Sequence, residues 1–485
     1  MEWLVISLYG ITLLIICLFS MGQFNLSLHY LRAGKLKEDV EAILTEFPHV
    51  TVQLPVYNEQ YVVERLIDSV CQLRYPKDKL EIQVLDDSDD ETLDIVKEKV
   101  NFYLAEGLDI KHVQRAERTG FKAGALQYGL EQAKGDYLAI FDADFVPSPD
   151  FLLKTLPKFK PEKTGMVQTR WSYLNRDFGW LTKIQAFWLD AHFTVEQKGR
   201  EQAGSFLNFN GTGGIWRKAC IEDAGGWQHD TLTEDLDLSY RAQLRGWKFV
   251  YREEIKSPAE LPVVLPAIKS QQYRWNKGAA ETARKTLGKV LRSNIAFEHK
   301  ARAVFHLLNS SVFLLILIAA MLSIPMLYIK AYNPDLALIF DLESIFVIGF
   351  FAMGFFYWVS AKATHPVYPF KYFITNFPMF LAFSMGMALH NSIAVIEGYL
   401  GIRTPFIRTP KFNVQAKGDN WKGNKYLTQV FTPITLFEGL LAIYFMYGII
   451  SGFKLEDYGL MLFHLMMALG FSYIFILSIR PFRYA

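Results

Sequence analysis

Two carboxylates stand one residue apart in "DYLAIFDADFVPSPDF", where an apolar run ends on Asp142 and Asp144. Alternate residues of a strand point to one face, so the spacing predicts that both acids share a side. Like charges that close raise each other's pKa unless a cation lies between them. The pair therefore reads as a divalent-metal site for a diphosphate, or as solvated acids at a strand end. A second acidic string, "TLTEDLDLSYRAQLRGW", puts Glu234, Asp235 and Asp237 behind the N-cap residue Thr233. Capping and the helix dipole account for acids there, yet a helix start beside a cleft also mounts Asp235 as a general base. In "SQQYRWNKGAAETARK", Gln271, Arg274 and Trp275 fall within about one helical turn. They suit a hydroxyl, a phosphate and a pyranose face, or serve as interfacial anchors. "RTGFKAGAL" sets Lys122 at a helix start, a place for phosphate or sugar oxygens or simply a solvated loop. "NFNGTGGIWR" is a glycine-rich turn, either a plain hairpin or a close approach for an acceptor sugar.

These residues need a scaffold, and the stretch from Pro48 to Ala259 supplies one. Strand-like "HVTVQLPVYNE", "LEIQVLDDSDD", "DIKHVQR" and "DYLAIFDAD" alternate with helix-like segments. In the first helix Val62, Val63, Leu66, Ile67 and Val70 recur at helical spacing. Four such alternations predict a parallel sheet with crossover helices, whose ligands bind beyond the strand carboxyl ends. Asn58–Glu59, Asp86–Asp87 and Asp142–Asp144 all sit at those ends, so three acidic sites converge on one rim.

Composition sets the bounds. Of 485 residues 51% are hydrophobic and 15% aromatic, which predicts a soluble part joined to a membrane part. A net charge of +2 argues against a nucleic-acid binder. Cys17, Cys71 and Cys220 form no CxxC, which excludes a disulfide scaffold or structural zinc site. The opening "WLVISLYGITLLIICLFSMGQFNL" is long enough to span a bilayer and reads as a retained anchor, not a signal peptide. "LRAGKLK" then places positive charge inside and the N-terminus outside. Four later segments suit spanning helices, giving five in all. The apolar but interrupted stretch Lys371–Gly401 is expected to lie at the cytosolic interface. If it spanned, the basic residues from Arg403 to Lys425 would fall outside, and "RPFRYA" is likewise expected inside. The expected division is an anchor (1–28), a cytosolic catalytic domain (29–262) and interfacial helices (263–303). A membrane region (304–485) follows, with its interfacial helix at 371–400.

Taken together, "VQLPVYNE", "LDDSDD", "RTGFKAGAL", "IFDADF", "FNGTGG", "TLTEDLDLSYR" and "QQYRW" resemble the membrane-embedded family 2 glycosyltransferases over nearly the whole chain. The likeness is greatest to the cellulose-synthase-like A group of β-mannan and glucomannan synthases and their bacterial relatives. That resemblance implies an α/β GT-A fold with a Rossmann-like mixed sheet, plus an α-helical transmembrane region. It implies Asp235 as catalytic base, and Asp86, Asp87, Lys122, Asp142, Gln271 and Arg274 around the nucleotide sugar. Asp142 and Asp144 would carry Mg²⁺ or Mn²⁺. Gly211, Thr212, Glu234 and Trp275 would meet the acceptor. "FIRTPK" is similar to the family's gating loop (401–427 here), with Phe406, Thr409 and Lys411 at matching positions. The chain departs from bacterial cellulose synthases at Phe145, where some carry histidine, and in "NGTGG", where they carry a cysteine-containing turn. The chain ends at Ala485, so no cyclic-dinucleotide-binding domain is expected after the membrane region. The implied activity is inverting polymerisation and export of a β-linked, β-1,4 hexose polysaccharide (mannan, glucomannan or glucan) from GDP-mannose or UDP-glucose. The implied setting is a bacterial inner membrane rather than Golgi, with the catalytic domain cytosolic and the bilayer and growing chain as partners. The alternative reading is a non-processive transferase with a lipid acceptor.

Overall fold

A computed structural model describes residues 2–34, 44, 46–160, 162–404, 408–416, 418–419, 423–427 and 432–479. Its centre is a seven-stranded sheet. The strands are β1 (Val50–Val56), β2 (Leu80–Asp86), β3 (Asp109–Val113), β4 (Tyr137–Ile140), β5 (Thr164–Tyr173), β6 (Gly214–Arg217) and β7 (Lys248–Ala259). They lie in the order β3-β2-β1-β4-β6-β5-β7.

The first four strands are parallel, as their alternation with helices predicts. Val52, Leu54, Ile82 and Val84 are buried with Val63, Leu66, Ile67 and Val70 of the helix Val63–Cys71 in one core. Leu138 and Ile140 join Leu126 and Leu130 of the helix Phe121–Gln132 in a second. Both faces are thus covered, so the strands read as nearly continuous apolar runs.

The sheet as a whole is mixed, as the resemblance implies. β6 runs antiparallel to both β4 and β5, and β5 pairs in parallel with β7 across two register shifts. One departure concerns the paired acids. β4 stops at Ile140, where β6 pairs with it, so Asp142 and Asp144 lie in the loop beyond the strand. Their shared direction comes from that loop and not from strand pleat.

Among the described residues five single helices are long and apolar enough to cross a membrane: Glu2–Ala33, Ser311–Tyr332, Val347–Thr364, Pro433–Lys454 and Met461–Ile479. The expected interfacial stretch is two helices, Pro369–Gly386 and Ala388–Leu400, bent by 52° at Met387 and together long and apolar enough for a broken span or a re-entrant loop. Gly386 is packed so closely on the last helix that a Cβ there would lie 2.4 Å from the Gly470 carbonyl oxygen. The expected basic flanks at 35–37 and 480–485 lie outside the described residues.

Candidate active site

One cavity opens at the carboxyl ends of β1, β2 and β4, where parallel α/β sheets bind ligands. Its walls bring together Asp87, Lys122, Asp142, Asp144, Gly211, Glu234, Asp235, Gln271, Arg274, Trp275, Thr409 and Lys411. Residues as far apart in sequence as Asp87 and Lys411 therefore meet.

The paired acids are each met by a lysine. Lys122 Nζ donates to Asp142 Oδ1 at 2.5 Å and to the Gly211 carbonyl at 2.9 Å. Lys411 Nζ lies 2.8 Å from Asp144 Oδ2. Burial opposes charge on both lysines, yet the facing carboxylates raise both above the usual ammonium range. The Asp142 backbone N–H donates to Thr212 Oγ1 at 2.8 Å, which fixes the loop carrying the pair.

No group of three His, Cys, Asp or Glu side chains poised for a metal exists among the described residues. Two carboxylates with a ligand's phosphate oxygens nevertheless meet the needs of Mg²⁺ or Mn²⁺, which take few protein ligands beside a nucleotide. The donor set fits: each of the two carboxylates already attracts an ammonium group, which marks a negative local field that draws cations, and a metal would share these oxygens with the lysines.

Asp235 opens the helix Glu234–Leu244. Its Oδ1 accepts the Leu236 backbone N–H at 2.8 Å. Burial first, and the neighbouring Glu234 carboxylate second, push its pKa up to about 7. Gly211 gives it room: φ is +79°, and a Cβ there would come within 3.1 Å of Asp235 Oδ2. A carboxylate poised near neutrality is suited to take a proton.

The opposite wall comes from the helix Leu265–Arg292 and the segment after it in space. Arg274 Nη2 donates to Thr409 Oγ1 at 2.8 Å. Arg408 Nη1 lies 2.8 Å from Glu59 Oε1, also donates to the Tyr57 carbonyl at 3.1 Å, and stacks over Tyr426 at 3.9 Å. Burial raises Glu59 to about 7 in spite of Arg408 and Lys411.

Two expected residues do not line the cavity. Asp86 is buried, with Oδ2 2.8 Å from His112 Nε2 and Oδ1 accepting the Ser88 N–H at 3.0 Å. Thr212 is buried and acts on the loop of Asp142, as above. Asp87 does reach the cavity, where Arg115 Nε donates to it at 3.0 Å. Phe406 lies outside the described residues.

Other residues escape sequence reasoning. Glu260 follows β7, a strand without a clean periodic signal, and its Oε1 accepts the Phe412 N–H at 2.8 Å. Trp171 and Arg118 also line the cavity, and Arg118 stacks on Tyr57 at 3.3 Å. A lone aromatic in β5 carries no sequence signal beyond core packing.

Comparison with known proteins agrees with this geometry. Residues 48–278 match the family described as "Glycosyltransferase like family 2". This region is a family 2 glycosyltransferase domain with a GT-A fold. Its relatives include glucomannan 4-beta-mannosyltransferase 7 of Arabidopsis thaliana, 42% identical over 263 residues, covering 53% of this chain and 47% of that protein. Another is the probable glucomannan 4-beta-mannosyltransferase 7 of Oryza sativa subsp. japonica, 44% identical over 251 residues, covering 51% and 43%. The chain spans about half the length of the curated relatives it matches. Both are plant proteins and give no support to the expected bacterial inner membrane. Among solved structures, the mannosyltransferase from Pyrobaculum calidifontis in complex with GDP-Man and Mn²⁺ shares the fold. Its TM-score is 0.56 at 20% identity, covering 81% of this chain and all of that one.

Proposed function

We propose that this chain is an inverting membrane hexosyltransferase that extends a β-1,4-linked mannan or glucomannan from GDP-mannose and passes it into the bilayer region. The observation that carries this reading is the single cavity in which Asp142, Asp144, Asp235, Gln271, Arg274 and Trp275 meet. The names of the plant relatives favour mannose as the transferred sugar.

In this mechanism Asp235 accepts the proton of the acceptor hydroxyl, O4 of the terminal sugar. The oxygen attacks the anomeric carbon opposite the diphosphate, and the bond from that carbon to the phosphate oxygen breaks. The bonding pair leaves on the diphosphate, so an α-linked donor yields a β-linkage. Positive charge grows on the sugar ring in passing. Glu234 keeps Asp235 basic by repulsion. Lys122 and Arg274, both fixed before the reaction, face the leaving charge and need no reorganisation to stabilise it. Asp142 and Asp144 would hold Mg²⁺ or Mn²⁺, and a bound ion supplies further positive charge to the diphosphate.

The helix Leu265–Arg292 joins the cavity to the apolar helices. Lys269, five residues before Arg274, pairs with Glu438 at 2.7 Å, and Gln272 Oε1 accepts from Asn391 at 3.0 Å. Trp275 at the cavity wall gives a flat platform for a sugar ring on its way to those helices. This reading puts the catalytic domain on the cytosolic side of the membrane.

The test is direct. The protein in lipid nanodiscs is given radiolabelled GDP-mannose or UDP-glucose with Mn²⁺, and the product is treated with endo-β-1,4-mannanase. Labelled polymer cut by that enzyme is expected. A solvent-extractable glycolipid would replace this reading with the lipid-acceptor one, and no transfer would overturn both.

A further inference from the structure

Asp144 is held by one cation, and that cation belongs to a segment far away in the chain. Its side chain is 4% exposed and meets the Lys411 ammonium at 2.8 Å. Lys411 sits on the strap 408–416, which is fastened at several further points. Arg408 pairs with Glu59, Thr409 accepts from Arg274, and the Phe412 N–H donates to Glu260. Lys411 is thus enclosed by Glu59, Asp144 and Glu260, whose charges all favour its ammonium form.

The other acid of the pair is treated differently. Asp142 is 35% exposed, and its lysine, Lys122, stands on a helix of the catalytic domain itself. Only at Asp144 does binding a divalent ion require a distant segment to release its carboxylate. A carboxylate whose Oδ2 is taken by an ammonium cannot also coordinate a metal at full strength.

We infer that Lys411 and the divalent cation compete for Asp144, so that metal binding and the docked position of the strap oppose each other until a diphosphate offers Lys411 another partner. By reciprocity, a docked strap weakens the metal by the factor through which the metal loosens the strap. A nucleotide sugar resolves the conflict: its phosphate oxygens accept Lys411 while Asp144 turns to the ion. Metal alone would then bind weakly, and metal with nucleotide would bind tightly with the strap down. The inference rests on the proposed role of Asp142 and Asp144 as metal carboxylates.

Mn²⁺ binding to the full-length protein, measured by electron paramagnetic resonance without nucleotide, tests it. Removing a charge-assisted partner of Asp144 in Lys411→Met should tighten Mn²⁺ about tenfold. Lys411→Arg, which keeps the cation, should bind as the unaltered protein does. Damage to the fold lowers affinity, so a gain cannot arise from misfolding. Adding GDP should shrink the gain toward unity. Equal Mn²⁺ affinity of Lys411→Met and the unaltered protein without GDP would overturn the competition. Failure of the unaltered protein to bind Mn²⁺ even with GDP would instead overturn the metal reading itself.

Discussion

The two walls of the cavity are built on different principles. The rim wall, with Asp87, Lys122, Asp142, Asp144 and Asp235, hangs on strand ends and on helices of the catalytic domain. Its positions follow from backbone topology, and a ligand cannot move them without disturbing buried cores. The facing wall, with Arg274, Arg408, Thr409 and Lys411, touches the rim mainly through side-chain ion pairs and hydrogen bonds. Such contacts exchange readily for those of a phosphate or a metal. On the proposed reading, the difference separates the chemistry, which needs rigid placement, from access and release, which need contacts that can be traded.

If the rim is the chemical wall, Asp235→Asn should cause the largest loss. Transfer should fall by about 10²–10⁴-fold, the usual worth of a general base, with GDP affinity unchanged. Turnover by radiolabel incorporation and nucleotide binding by calorimetry check it. Retained turnover would move the base elsewhere.

The next effect concerns the frame behind the facing wall. Glu438 is fully buried and Lys269 is 15% exposed, with the ammonium 2.7 and 2.8 Å from the two carboxylate oxygens and 2.9 Å from Ser478 Oγ. Glu438→Leu leaves a buried lysine without its counter-charge and should cost about 3–5 kcal/mol of stability. Lys269→Met/Glu438→Leu should recover most of that loss, since the pair's desolvation cost disappears with its attraction. Thermal unfolding in detergent measures both. If the double variant is no better than the single one, the pair is not what ties the helix Leu265–Arg292 to the membrane region.

A smaller effect comes from pH. As the proposed base, Asp235 would act in its ionised form, and burial with Glu234 raises it to about 7. Activity should therefore rise with pH and level off above about 7, falling about tenfold per unit below it. The sign follows from the raised value: protonation removes the base well before an ordinary carboxylate would titrate. An activity limb set near pH 4 would show that Asp235 is not the titrating base.

How much of this was legible beforehand follows the same division. The parallel half of the sheet announces itself, because strands buried on both faces read as apolar runs between helices at 3.6-residue spacing. β5, β6 and β7 do not. β6 is four residues long, and its antiparallel pairing between β4 and β5 depends on contacts far apart in sequence. That Asp142, Asp144 and Asp235 share one cavity could be expected from residue type and placement. That Asp86 turns toward His112 while Asp87 faces the cavity could not, since adjacent residues of a strand end look alike in one dimension. The facing wall was legible as motifs without positions. Nothing in "FIRTPK" alone says that Lys411 meets Asp144; only the folded chain supplies that distance.

The smallest effect tests whether the facing wall is truly held by exchangeable charge. At the far end of its segment Lys425 Nζ lies 3.2 Å from Asp90 and also pairs with Glu91, and the Tyr426 hydroxyl donates to Asp90. Lys425 is 37% exposed, so water and salt screen the pair. Lys425→Ala should shift the donor KM by less than about threefold at ordinary ionic strength, within the range of exposed pairs. The sharper measurement is its salt dependence. Raising salt weakens the Lys425 contacts in the unaltered protein and should bring its donor KM toward that of the variant, so the two converge. Tyr426→Ala, which removes the ring beneath Arg408 but keeps the Lys425 charge, should retain the salt dependence. Parallel salt curves for the unaltered protein and Lys425→Ala would mean that this end is fixed by packing, and the contrast between the two walls would then hold only at Lys411 and Arg408.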